Sequence, residues 1–189
     1  MNKTVGFAIC GSFCTFSKVI PQIANLRKLN YNIIPIMSEM AYSTDTRFGK
    51  AQDFIDEIEE TASNKVIHTI KDTEPIGPQK LLDALIIAPC TGNTLGKIAN
   101  GITDTSVTMA AKSHLRNKRP VLIAVSTNDG LGNSAKNIGQ LLNCKNIYFV
   151  PMGQDDSAKK PNSIIADFDK IPEALEYALK NKQIQPIVL

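Results

Sequence analysis

The sequence has no tryptophan, two histidines and four cysteines in 189 residues. Each scarcity closes off a class of chemistry. Cys10 and Cys14 are a close pair, but no second pair and no neighbouring histidine completes a zinc site. With Cys90 and Cys144 they form no disulfide framework and fit a reducing compartment. Cys10 ends an apolar run and reads as a small core hydrophobe. His114 falls on an expected helix near Arg116 and reads as a surface residue. His68 falls in a strand-like segment. There is no nucleophile elbow and no metal-ligand cluster. Long hydrophobic runs are also missing, since a membrane helix needs about 20 apolar residues. Met1-Asn2-Lys3-Thr4 is expected to lead straight into a short strand and does not read as a signal peptide. Charge of one sign is lacking too: a net +3 does not point to nucleic acid. The densest basic cluster, Lys112, Arg116, Lys118 and Arg119, reads as a solvated helix end, where cations suit the helix dipole. Asp53, Asp56, Glu57, Glu59 and Glu60 read as a solvated helix face. The expectation is a cytoplasmic protein without metal, membrane or nucleic-acid partner.

What is present is an ordinary globular balance, with 43% apolar and 21% charged residues. That is enough to build a core without covalent staples, and we expect one domain over 1–189. Short apolar runs predict strands at 4–10, 31–37, 85–88, 120–125 and 147–150, and a short one at 65–70. Three- and four-residue apolar spacing predicts helices at 16–26, 51–62, 94–100, 105–115, 135–142 and 171–179. The strands are solid rather than alternating runs, which predicts a three-layer α/β fold: a parallel sheet with helices on both faces. The polar stretch 153–163 is expected to be a long surface loop.

Open parallel sheets bind ligands beyond the carboxyl ends of their strands. The segments at those ends are Gly11-Ser12-Phe13-Cys14-Thr15, Ser38-Glu39, Pro89-Cys90-Thr91-Gly92-Asn93-Thr94 and Ser126-Thr127-Asn128-Asp129-Gly130. Three of them are rich in small hydroxyl and amide residues. Any single one reads as a helix cap. Three on one edge make a surface of hydroxyls and free N–H groups suited to a phosphate or other anion. The familiar fingerprints fail. Gly6 and Gly11 do not make a dinucleotide motif. Gly92 to Ile98 is one residue short of a P-loop and lacks its hydroxyl residue after the lysine.

The segment Ala88-Pro89-Cys90-Thr91-Gly92-Asn93-Thr94-Leu95-Gly96-Lys97-Ile98-Ala99-Asn100-Gly101-Ile102-Thr103-Asp104 resembles the flavin-wrapping segment of the flavoprotein family that includes the cysteine decarboxylases. Gly11-Ser12 matches the family's first flavin loop, and Asn128 matches its substrate-binding asparagine by position. The resemblance implies a Rossmann-like, flavodoxin-like fold and bound flavin mononucleotide (FMN). By it, Gly11, Ser12, Ser38, Pro89, Cys90, Thr91, Gly92, Asn93 and Thr94 hold the cofactor. Two departures argue against cysteine decarboxylation. Pro75 stands where the decarboxylases carry a histidine upstream of the aspartate that is Asp83 here. The substrate motif lacks the proline and methionine around its asparagine.

Thr44-Asp45-Thr46-Arg47-Phe48-Gly49, Ser126-Thr127-Asn128-Asp129, Gly153-Gln154-Asp155-Asp156 and Lys159-Lys160-Pro161-Asn162-Ser163 resemble one branch of the family. Its members are B subunits of two-subunit synthases that oxidise a dihydro precursor to pyridine-2,6-dicarboxylate in sporulating cells. That implies an oxidoreductase role, a dicarboxylate substrate and a partner A subunit carrying NADP. It also implies a homo-oligomer and the cytoplasm of the mother cell. Arg47, which can meet a carboxylate with a bidentate fork, and Ser126, Thr127 and Asn128 are the expected substrate contacts. Lys97 is a weaker candidate cation, on a helix that can turn it outward. No catalytic residue is assigned. Two other readings stay open: a non-catalytic subunit with a vestigial flavin pocket, and another FMN enzyme of the same fold, such as a prenyltransferase.

Overall fold

The computed structural model describes residues 2–189, so only Met1 of the leading segment lies outside the described residues. β1 (Thr4–Ile9) is buried along all but its first residue, as a strand covered on both faces must be. It pairs in parallel with β2 (Asn32–Met37) on one side and with β3 (Ala84–Cys90) on the other. β3 pairs in parallel with β4 (Val121–Thr127), and the first half of β4 with β5 (Ile147–Phe149). The parallel order is therefore 2-1-3-4-5. The amino edge is tied off where the Asp83 carboxylate accepts the Thr4 N–H at 2.8 Å.

α1 (Phe16–Lys28), α3 (Ala51–Ala62) and α8 (Ile171–Leu179) cover one face, packing Val19, Ile23, Leu26, Ile58 and Leu175 onto Phe7 and Ile9. α5 (Gly92–Ala99), α6 (Ser106–Leu115) and α7 (Ala135–Leu142) cover the other, with Leu95, Val107 and Leu141 against Ile87, Ile123 and Val125. Each such buried side chain contributes about 1.5–3 kcal/mol relative to exposure. α2 (Glu39–Ser43) and α4 (Ile70–Thr73) are short connectors. Thr105 starts α6 with a reciprocal capping box to Thr108. Glu39 anchors the same end by accepting the Ser106 N–H at 2.9 Å.

Three expectations are corrected, while the expected α/β fold around a parallel sheet core stands. Residues 153–163 are not a loop: they form most of an antiparallel hairpin, β6 (Met152–Asp156) and β7 (Lys160–Ala166). β7 pairs antiparallel with the end of β4, at Ser126↔Ile165 and Thr127↔Ile164, so the sheet is mixed and seven-stranded. The hairpin escapes a hydrophobic reading because its outer half, Lys160 to Asn162, is exposed and polar. Residues 65–70 are not a strand, since only Ile67 bridges to Ile36. His114 is not at the surface: it is fully buried, with Nε2–H donating to the Pro120 carbonyl at 3.1 Å. The α6 face that carries Ala110 and Ala111 turns it inward.

Candidate functional site

β1 is flanked by strands that the chain reaches in opposite directions, and a crevice opens at such a switch point. A cavity of about 940 Å³ lies there, at the carboxyl edge. Its floor is the three segments that follow β1, β3 and β4. Gly11 and Ser12 lead into a short 3₁₀ turn, Phe13–Thr15, at the head of α1. The Ser12 and Ser126 hydroxyls lie 2.8 Å apart, joining the first segment to the third. Thr91 caps α5 by accepting the Thr94 N–H. First-turn N–H groups have no intrahelical partners, so the starts of the Phe13–Thr15 turn and of α5 offer donors at this edge.

Gly11, Ser12, Thr91, Gly92 and Asn93 line the cavity, as do Ser126, Thr127 and Asn128. The other expected residues stand apart from it. Ser38 is spent capping α2, accepting the Ala41 N–H at 3.2 Å. Pro89 and Cys90 are inside β3, and Cys90 is fully buried. Thr94 is buried, its hydroxyl donating to Cys10 Sγ at 3.3 Å. Arg47 is exposed and lies 4.9 Å over the Phe48 ring, and it is Phe48, not Arg47, that reaches the cavity wall. Pro75 lies in a 3₁₀ turn, Glu74–Ile76, outside the cavity wall.

Further lining residues belong to no segment at a strand end. Gly96, Lys97 and Asn100 face the cavity together with Asn93. Their i, i+3, i+4, i+7 spacing is one stripe of α5, so a sequence signal exists but is polar rather than apolar. Lys97 does not turn outward: its side chain is 22% exposed and its Nζ lies 2.8 Å from Asp104 Oδ1. From the hairpin come Asp155, Lys160 and Ser163. Nothing in the primary sequence places these beside the β4 end without the hairpin pairing.

Two acids line the wall, Asp155 from the hairpin and, after β4, Asp129. The Thr127 hydroxyl donates to it at 2.5 Å, and this bond, helped by Ser134, holds its carboxyl below the usual range. α5 begins tightly against this group. A Cβ on Gly92 would lie 2.7 Å from the Ser134 and Thr127 hydroxyls and 2.9 Å from Asp129 Oδ1. Gly130 is equally constrained, with its Cβ position 2.6 Å from the Ile164 side chain. The two central thiols are not nucleophiles. Burial pushes Cys10 up to about 11, and Cys90 well above its ordinary value. Among the described residues no group of three His, Cys, Asp or Glu side chains is placed to hold a metal ion. No described helix is long and apolar enough to cross a membrane.

A 2-1-3-4-5 sheet with a hydroxyl-lined crevice at its switch point defines the flavodoxin-like class of α/β proteins. Within that class the chain belongs to the Flavoprotein family, whose sequence model matches residues 1–172. It is 44% identical over 188 residues to the B subunit of dipicolinate synthase from Bacillus subtilis (strain 168), covering 100% of this chain and 94% of that one. The crystal structure of the dipicolinate synthase B subunit from Bacillus halodurans C superposes with a TM-score of 0.91 at 42% identity, over 100% of this chain and 98% of that one. An FMN-dependent cysteine decarboxylase, SpaF, shares the fold with a TM-score of 0.68 at 21% identity, over 94% and 95% of the two chains.

Proposed function

We propose that this chain acts as the B subunit of a dipicolinate synthase. In this reading it binds FMN at the carboxyl-edge cavity, beside a dicarboxylate precursor that is oxidised to pyridine-2,6-dicarboxylate. The observation that carries the reading is the convergence of Ser12, Thr91 to Asn93 and Ser126 to Asn128 on one cavity at the β1/β3 switch point. Full-length similarity to two dipicolinate synthase B subunits supports it.

The residues present fit a flavin mononucleotide. The cavity lies within the roughly 300–1,000 Å³ of small-molecule sites. The Ser12 and Ser126 hydroxyls and the N–H groups at the head of α1 suit a phosphate. Phe13 and the half-exposed Phe48 supply aromatic wall for a flat ring. Thr91, Asn93 and Asn128 offer the mixed donors and acceptors that ring heteroatoms need. Bound flavin supplies two-electron redox chemistry. The protein's part is to hold the precursor against it, to exclude water and to balance charge. Lys97 and Lys160 line the wall as cations and Asp129 as a fixed anion. NADP belongs, in this reading, to a partner A subunit. A homo-oligomer and the cytoplasm of the sporulating mother cell complete the proposal, with residues 1–189 acting as one domain.

The test is an absorption spectrum of the purified protein followed by fluorescence titration with FMN. We expect saturable, near-stoichiometric binding that a Gly11→Phe substitution abolishes. A Cβ at Gly11 meets only the Phe13 ring, at 3.4 Å, so Gly11→Ala should still bind and the bulk of phenylalanine is what blocks. A wild-type protein that takes up no flavin would favour a supporting role with a vestigial pocket. That second reading draws on Pro75 at the decarboxylases' histidine position and on an acid, Asp129, already tied up by Thr127.

A further inference from the structure

We infer that Lys97 and Lys160 are the two carboxylate-reading groups of this cavity, each released from an internal aspartate when a planar dicarboxylate enters. The inference rests on the dicarboxylate reading above and names the residues that carry it.

Two lysines line the cavity, one from α5 and one from β7. Each is already paired to a carboxylate: Lys97 Nζ with Asp104 at 2.8 Å, and Lys160 Nζ with Asp155 at 2.6 Å. The first pair is asymmetric. The Lys97 side chain is 22% exposed, whereas Asp104 is 59% exposed and does not line the cavity. A ligand carboxylate arriving from the cavity therefore meets the ammonium on the side that Asp104 leaves open. The second pair sits on the outer half of the hairpin, with Lys160 58% exposed.

Ion pairs with at least one well-exposed partner contribute little, so exchanging one carboxylate for another costs little. An ammonium on a flexible stem can make that swing, and Arg47, whose guanidinium lies 4.9 Å over the Phe48 ring, does not line the cavity. Neither lysine is paired to Asp129, whose Oδ1 accepts from the Thr127 hydroxyl. Cations on two separate elements, in a wall that also holds the amides of Asn93 and Asn128, match a rigid ring whose two carboxylates diverge. One bidentate cation would read only one of them.

The experiment is calorimetric titration of the FMN-saturated protein with pyridine-2,6-dicarboxylate and, as comparator, pyridine-2-carboxylate. The diacid should bind more tightly than the monoacid. Lys97→Met and Lys160→Met should each weaken the diacid by about tenfold or more, the scale of a lost charged hydrogen bond. Asp104→Asn and Asp155→Asn, which remove the internal competitors, should tighten the diacid several-fold, a gain that misfolding cannot mimic. FMN affinity, read by fluorescence, should change far less than diacid affinity in all four. Wild-type protein that binds no diacid overturns the inference. So do lysine variants that bind it normally, aspartate variants that bind it more weakly, and lysine variants that lose FMN instead, which would assign the cations to the flavin phosphate. If wild type takes up no flavin, the flavin reading fails, and the same titration on the flavin-free protein still decides this one.

Discussion

His114 is a buried imidazole whose Nε2 is satisfied by the Pro120 carbonyl and whose Nδ1 has no partner among the described residues. Burial depresses its pKa to about 4 from an ordinary 6.5. Between those values the unfolded chain binds more protons than the folded one, so stability rises with pH there. The contribution is complete above pH 6.5 and is lost as pH falls toward 4. Denaturant unfolding should show about 2–3 kcal/mol of stability lost through this group between pH 7 and 4.5. His114→Gln, which keeps an N–H for Pro120, should flatten that part of the profile; an unchanged slope would assign the acid loss to other groups. Gly92 makes a second prediction at this scale. Gly92→Ala drives a methyl into Ser134, Thr127 and Asp129, all within 2.9 Å. Overpacking of this kind costs about 1–3 kcal/mol, readable as a lowered Tm. It should also raise the Asp129 pKa by disturbing the Thr127 bond, which carbon-detected NMR titration would report.

At the scale of the element, the β6–β7 hairpin decides what the cavity is. Without it, the end of β4 would be an open edge and the site a shallow cleft. Its hold on the sheet is narrow: two register pairs to β4, Ser163 Oγ donating to the Thr127 carbonyl at 3.3 Å, and Ile164 packed against Gly130. Gly130→Ala should push Ile164 aside and loosen the hairpin. Hydrogen exchange of amides 152–166 should quicken while β1, β3 and the core of β4 stay protected. Uniform acceleration across the sheet would mean that the hairpin and the core open together. α5 shows how an element can carry a site legibly yet be passed over. Its Asn93, Gly96, Lys97, Asn100 stripe keeps helical period, but a search for apolar periodicity sees only the opposite face with Leu95.

At the scale of the molecule, the sheet is held from both sides by separate hydrophobic layers, with Phe7 and Ile9 facing one and Ile87 and Ile123 the other. Phe7→Ala should cost about 3–5 kcal/mol and lower cooperativity of the whole unfolding transition, because Phe7 is fully buried at the centre of the first layer. A loss below about 1 kcal/mol would mean that this layer repacks freely.

Much of this architecture was readable from local sequence. Solid apolar runs such as Leu85 to Ala88 and Val121 to Val125 demand burial on both faces, and periodic helices between them demand a layered parallel sheet. The hydroxyl- and amide-rich segments after β1, β3 and β4 were likewise visible, because a parallel sheet puts every strand's carboxyl end on one edge. Local sequence could not settle pairing between distant segments. That Lys160 and Asp155 share a cavity with Lys97 depends on β7 reversing onto β4, and no periodicity in a polar hairpin encodes a partner. That Arg47 stays on Phe48, that Ser38 is consumed as a cap and that His114 is buried were set by which face each short element turns to its neighbours. Burial and side-chain aim are properties of packing, so the tertiary structure alone assigned them.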